Sequence, residues 1–342
     1  MTTRYFKASL AGLICTLGLL AVHPVLAEDG ASLIMYHRFG ENDYPTTNVR
    51  LDQLDAHITE LTSGDYTILT LPEIVRRLQA GESFPEKAVG VTIDDAYLSV
   101  FTEAWPRFKK AGIPFTLFVA TDPVDRNYSR YMTWAQIRTI AADPLVTIGS
   151  QTAAHLHMID TPSAELDADL NASNALFKKE LGHVPTLIAY PYGEFDDHVV
   201  KAVKKAGFKA GFGQQSGAFG KLDDMFRLPR FAMNEAYGGL NRLQTGASAL
   251  PIPVSDFGPT DTVVQPTNNP PLIGFTIVED LPRINDLACF SNHEGKLKVE
   301  HLGPRIEVRM TKPLPQGRTR LNCTLPTENG RFRWLGRLFY VK

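Results

Sequence analysis

Four short runs in this 342-residue chain carry side chains suited to hydrolytic chemistry. In VTIDDAY, 91–97, a β-branched run ends on two adjacent carboxylates, Asp94 and Asp95. Neighbours at a strand end point in different directions, so one acid can hold a cation while the other accepts a proton. Asp-Asp is also common in solvated turns, but the apolar run before it argues against that reading. In VTIGSQTAAHLHM, 146–158, Gln151 precedes His155 by four residues, and His157 follows. A cation shared by Asp95 and His155 suits zinc or a similar divalent metal. A histidine by itself is more often packed or solvated, and His155 gains weight only beside the acid pair; His157 reads as structural or supporting. In LIAYPYGEF, 187–195, Pro191 and Gly193 shape a tight turn that can aim a backbone N–H outward, where it can stabilise an oxyanion. In LIMYHRF, 33–39, His37 ends another strand-like run.

These residues need a frame. From Ser32 to about Leu240, short apolar runs (SLIMY, GVTID, FTLFVA, VTIGS, TLIAY, AGFG) alternate with helix-like stretches that stop on Gly64, Gly81, Gly112, Gly182 and Gly207. Strand and helix in alternation predict an α/β domain with a mainly parallel sheet, either an open sheet or a closed or nearly closed barrel. In such folds the C-terminal strand ends carry the active site, which is where all four runs put their polar residues. Residues 245–270 are rich in proline and polar residues and read as a linker. Beyond it, 271–342 shows short alternating runs split by Gly, Pro and Asn, which predict a small all-β sandwich.

Apolar residues make up 44 % and charged residues 21 %, with a net charge of −2. That balance fits a globular protein and offers no basic patch for nucleic acid. Arg4 and Lys7, an apolar run from Ala8 to Val22 and Val-Leu-Ala at 25–27 read as a secretory signal peptide over 1–27, cut after Ala27. The run is short for a membrane span, so no stable membrane insertion is expected after cleavage. Cys15 lies inside the leader. An exported chain meets oxidising conditions, which predicts a bond between the remaining cysteines, Cys289 and Cys323.

Taken in order, MYHRF, TIDDA, SQTAAH and AYPYG resemble the motifs of the polysaccharide deacetylase family, the NodB-homology domain of carbohydrate esterase family 4. The early MYHRF is similar to the permuted branch that deacetylates poly-N-acetylglucosamine. The resemblance covers about 32–240 and implies an irregular (β/α) barrel, assigned to 28–244. It also implies an exported hydrolase, periplasmic or secreted, acting on an N-acetylated glycan. By that resemblance Asp95, His155 and Gln151 hold a divalent metal, zinc or else Co, Ni or Mn. Asp94 is the base, His37 the acid and the Tyr192 N–H an oxyanion donor. Tyr190, Pro191, Trp134 and Arg230 are expected at the substrate, with Tyr44 a further stacking candidate. Arg227 and Arg230 are open either to pairing with Asp94 or to a surface role. Three departures stand out: Gln151 replaces a histidine, Ala189 an arginine and Ala96 a glycine. A neutral amide is a poorer zinc ligand than imidazole. Two other readings follow: a catalytically impaired glycan-binding protein, or an O-acetyl polysaccharide esterase.

Overall fold

The computed structural model describes residues 1–2, 27–28 and 30–342. The leader expectation therefore falls almost wholly outside the described residues, and Cys15 with it. Of the nine strands in the main sheet, seven form its continuous path: β1 (Gly30–Tyr36), β2 (Ala88–Ile93), β3 (Phe115–Val119), β4 (Val146–Ser150), β5 (Leu187–Ala189), β6 (Ala210–Phe212) and β7 (Ala218–Gly220), in the order β6-β5-β4-β3-β2-β1-β7. From β1 to β6 each strand lies beside its predecessor, all parallel. β7 runs antiparallel along the start of β1, and β8 (Phe231–Ala232) runs parallel along its end. Residues of β1, β2 and β3 are buried throughout. This is what continuous apolar runs require when both faces of a parallel sheet are covered.

The sheet curls, and the stretch 228–232 ties its two ends together. Leu228 bridges to Phe212 at β6, and Phe231 pairs with Ile34 of β1. The wall is thus completed by a short seam, which settles the barrel-or-open-sheet question as a curled, nearly closed barrel. Arg230 is carried on this seam and is fully buried. Helices cover the outside; α1 (Leu51–Ser63), α2 (Leu71–Ala80), α3 (Trp105–Ala111), α4 (Thr121–Asp125), α5 (Trp134–Ala141), α6 (Ser163–Leu181), α7 (Asp197–Lys205) and α8 (Leu240–Ala247) follow in chain order. Gly81, Gly112 and Gly182 end α2, α3 and α6 as expected. No described helix is long and apolar enough to cross a membrane.

The second domain is two four-stranded antiparallel sheets. One is β9 (Val254–Gly258), β10 (Ile273–Ile277), β14 (Arg305–Arg309) and β13 (Lys298–Leu302). The other is β12 (Gly295–Lys296), β11 (Ala288–Ser291), β15 (Gly317–Pro326) and β16 (Phe332–Val341). The stretch 245–270 corrects the linker expectation. α8 runs through Ala247, β9 is an edge strand of the sandwich, and Ile252 and Val264 are buried in its core. Proline content hid a strand that pairs only on one side, the place where proline is tolerated. Cys289 and Cys323 face each other across β11 and β15 and form a disulfide in that core.

The sandwich docks firmly on the barrel. Gly336 of β16 lies against the Ser216 carbonyl so closely that a Cβ there would stand 1.8 Å from the oxygen. Leu250 exchanges backbone hydrogen bonds with Phe332 and Trp334, and the buried Arg331 pairs with Glu28.

Candidate active site

Four strand ends deliver the expected residues to one place. His37 follows β1, Asp94 and Asp95 follow β2, Gln151 follows β4, and Tyr190 to Tyr192 follow β5. A cavity of about 860 Å³ lies over these ends, and His37, Asp95, His155 and Tyr192 all line it. The backbone around it is unusual. Of ten non-glycine residues with positive φ among the described residues, five are Asp95, Ala96, Thr152, His155 and Tyr192. Such conformations cost energy and persist where the surroundings enforce them, most often at functional sites. Ala96, with φ of 56°, stands where the related motif has glycine, and the left-handed backbone gives the physical reason for that glycine.

Asp94 and Asp95 diverge, as neighbours at a strand end must. Asp94 is fully buried and is clamped by Arg230 through two bonds, Nη1 to Oδ1 at 2.7 Å and Nη2 to Oδ2 at 2.8 Å. Its Oδ2 also faces His37 Nε2 at 3.9 Å. Arg230 is held in turn by the Gly213 carbonyl and the Thr92 hydroxyl. The open question about the two arginines is thereby divided. Arg230 pairs with Asp94, whereas Arg227 pairs with Asp197 and Asp224 at the surface.

Asp95 turns into the cavity beside His155, whose Nε2 is 3.2 Å from its Oδ1. Burial alone would raise the Asp95 carboxyl, but the His155 and His37 rings outweigh it and hold it down to about 2. At His155 burial works downward, and the Asp95 carboxylate beside it raises the ring above its ordinary value. The ring nitrogen is out of line for a hydrogen bond, which leaves Asp95 Oδ1 buried with no donor.

Gln151 is the surprise. It is fully buried, and its Oε1 accepts a 2.9 Å hydrogen bond from the Asp95 backbone N–H. Only the amide oxygen can accept, so this bond fixes the orientation of the side chain. The NH₂ end is left facing His155 Nε2 at 3.4 Å. Gln151 thus latches the Asp95 turn instead of presenting an oxygen to a cation. The fit to a metal divides accordingly. Asp95, with its partnerless oxygen, and His155 suit a divalent ion; Gln151 in this arrangement does not supply a third ligand. No cluster of three or more His, Cys, Asp or Glu residues suited to a metal occurs among the described residues.

The β5 turn is braced from several sides. The Tyr192 ring stacks on His157 at 3.9 Å between centroids, and His157 Nδ1 bonds the buried Glu194 at 2.9 Å. Arg318, from the sandwich, donates to the Tyr192 carbonyl at 2.9 Å. Sequence reasoning passed over Arg318 because its contact with Tyr192 spans 126 residues. Asp169 of α6 was missed too: it accepts from the Ala153 and Ala154 N–H groups and shapes the loop that carries His155. A buried aspartate in the middle of a helix was its only signal.

Other expectations fail on position. Trp134 packs edge-on against Phe177 within the core and does not line the cavity. Tyr190 is fully buried and its hydroxyl donates to the Phe226 carbonyl at 2.7 Å. Pro191 is buried as well, and Arg230 lies beneath Asp94, so none of the four lines this cavity. Tyr44 lies between Arg38 and Arg130 and lines a separate, neighbouring pocket, not this cavity. Trp334 of the sandwich, half-buried against the barrel core, also lines the cavity.

Residues 81–211 match the polysaccharide deacetylase family model. The chain is 26 % identical over 207 residues to YxkH of Bacillus subtilis, described as a polysaccharide deacetylase, covering 60 % of this chain and 72 % of that one. It is 25 % identical over 232 residues to a poly-β-1,6-N-acetyl-D-glucosamine N-deacetylase of Staphylococcus epidermidis, covering 64 % and 79 %. In fold it is similar to the Streptococcus pyogenes deacetylase PplD, solved in complex with acetate. That match has a TM-score of 0.59 and 21 % identity over 64 % of this chain and 98 % of the other.

Proposed function

On the premise that the chain belongs to the polysaccharide deacetylase family, we propose that it is an exported, metal-dependent hydrolase that removes acetyl groups from N-acetylated sugars of a glycan. The observation that carries this reading is the meeting of His37, Asp95, His155 and Tyr192 on one cavity, with Asp94 directly behind them. The name of the staphylococcal relatives supports an N-acetylglucosamine polymer as the substrate class. Export rests on the basic, apolar and small-residue pattern of 1–27 and implies a periplasmic or secreted enzyme.

Asp95 and His155 are the residues that would hold a divalent metal, zinc or else Co, Ni or Mn. When bound, such an ion supplies Lewis-acid polarisation of the acetyl carbonyl. Asp94 accepts the proton of the attacking water. Because it does not line the cavity, the proton must reach it from the side where Oδ2 faces His37. Arg230 keeps both Asp94 oxygens in place for that task. His37 protonates the departing amine. The Tyr192 N–H stabilises the oxyanion from a turn that His157 and Arg318 hold rigid. The products are acetate and a free amino sugar.

One observation favours a second reading. With its oxygen bonded to Asp95, Gln151 leaves a two-residue donor set, which weakens metal retention and suits a protein that binds glycan without turning it over. Incubation with N-acetylglucosamine oligomers separates these. Release of primary amine, lost in Asp94→Asn, supports the hydrolase. Binding of oligomers with no amine released at any metal supports the binder. Release from O-acetylated xylan alone would point to an esterase.

A further inference from the structure

The cleft over the strand ends has a second wall, and the sandwich builds it. Along β15, Arg318, Arg320 and Asn322 alternate with Thr319, Leu321 and Cys323, all buried in the sandwich. Period-2 alternation puts the two arginines and the asparagine on one face, turned toward the barrel. Asn322 pairs with Gly336 and Thr324 with Trp334 of β16, so Trp334 shares that face. Gly336 is the close docking point on Ser216, which fixes this face over the cleft. Arg242 of α8 approaches from the barrel side, over the Trp334 and Phe231 rings. Arg242, Arg318, Arg320, Asn322 and Trp334 line the same cavity as His37, Asp95 and His155.

The charge on this wall is largely uncompensated. Arg318 is engaged by Glu194 and the Tyr192 carbonyl. Arg242 bonds the Ser216 hydroxyl at 2.9 Å, and its Nε is buried with no acceptor. Neither Arg242 nor Arg320 forms a salt bridge with a described carboxylate. Burial lowers the Arg242 guanidinium, and at the solvent-exposed Arg320 partial desolvation and the neighbouring Arg318 cation act in the same direction. In a chain of net charge −2, this local excess of positive charge is not an accident of overall composition.

We propose that the sandwich wall is an anion-binding subsite, in which Arg242 and Arg320 select N-acetylated glycans that carry a carboxylate or phosphate substituent near the sugar being deacetylated. Guanidinium forks match the planar or multi-oxygen geometry of both groups, and the half-buried Trp334 offers a ring face for the sugar between them. The same wall disfavours a sugar already converted to its cationic amine, so neighbouring residues are not deacetylated in succession. The proposal rests on the deacetylase reading of the cavity.

The test uses the full mature chain and one polymer backbone with three substituents: glycol chitin (neutral), carboxymethyl chitin and phosphorylated chitin. Acetate release gives kcat/KM, and titration calorimetry on the chelated protein gives Kd. The expected result is kcat/KM at least tenfold higher on an anionic polymer than on glycol chitin, expressed in KM. The advantage should shrink between 50 and 300 mM salt, as about one Debye length of screening predicts. Arg320→Gln and Arg242→Gln should each remove most of it, Arg320→Gln being the exposed position least tied to folding. Preference for one anionic polymer alone assigns the subsite to carboxylate or to phosphate. Equal kcat/KM and Kd on all three, or arginine variants that weaken all three equally, would overturn the subsite while leaving the deacetylase standing. No acetate from any polymer, with arginine-dependent binding of the anionic ones, would overturn the deacetylase and leave the subsite.

Discussion

Replacing Arg230 by methionine tests how the site holds its base. The Arg230–Asp94 pair has no solvent exposure on either side chain and is bidentate, at 2.7 and 2.8 Å. Methionine keeps most of the volume and removes the charge, so Asp94 is left buried with only the His37 ring, at 3.9 Å, beside it. Breaking such a pair from one side costs about 3–5 kcal/mol, because the remaining charge has neither water nor partner. At about 2–4 °C per kcal/mol for domains of this size, Tm should fall by roughly 10 °C. Removing both charges, as in Arg230→Met with Asp94→Leu, should recover most of that loss, since an apolar pair of similar volume is often as stable as the ion pair. Acetate release should be absent in the double variant despite its restored Tm. Thermal denaturation of the three proteins at one pH measures this cycle. A single variant within about 1 kcal/mol of the parent, or a double variant no more stable than the single, would refute a buried, mutually dependent pair.

Other expectations follow from the same geometry. Gln151→Leu should destabilise by about 1–3 kcal/mol in urea unfolding, because it strands the buried Asp95 N–H. Gln151→His should lose that latch but tighten zinc binding by about 10–100-fold in equilibrium dialysis, by completing a third ligand. Ala96→Gly should raise stability by about 1 kcal/mol, since glycine bears the φ of 56° without the alanine penalty. In the metal-free protein the raised His155 contributes stability that is present below about pH 6.5 and is lost as pH rises through its higher folded value. The depressed Asp95 contributes stability present above about pH 3.9 and lost as pH falls toward about 2. Denaturant midpoints across pH should therefore decline on the alkaline side without metal, and added zinc should offset that decline most where His155 is deprotonated. Reducing Cys289–Cys323, which closes a loop of 34 residues, should cost about 3–4 kcal/mol in the sandwich.

What the sequence made legible was the part written in local patterns. Each candidate polar residue sat just after an apolar run, and a parallel sheet sends such positions to one edge, so His37, Asp95, His155 and Tyr192 meet as expected. The disulfide followed from a count of cysteines, and the sandwich from alternation. Illegible were the relations made by chain segments far apart. Arg230 reaches Asp94 across 136 residues, and its run FRLPRF gave no sign of which arginine would turn inward. Trp134 looked like a sugar platform because an aromatic near a helix start reads the same whether it packs or stacks. Gln151 was placed at the site, but only the Asp95 N–H decides which end of its amide faces inward. The stretch 245–270 shows the same limit, since proline content alone cannot separate a linker from an edge strand.

The central claim is that a glycan deacetylase operates with Asp95 and His155 as its metal-holding residues and Gln151 as a latch. Its most direct test is acetate release from N-acetylglucosamine oligomers by the mature protein, after chelation and again with Zn²⁺, Co²⁺, Ni²⁺ or Mn²⁺ restored, with Asp94→Asn and Gln151→His in parallel. The account predicts release that chelation removes, that one of these ions restores, that Asp94→Asn abolishes, and that Gln151→His sustains at lower metal concentration. Release unaffected by chelation, or no release from parent and Gln151→His alike with every ion, would contradict it.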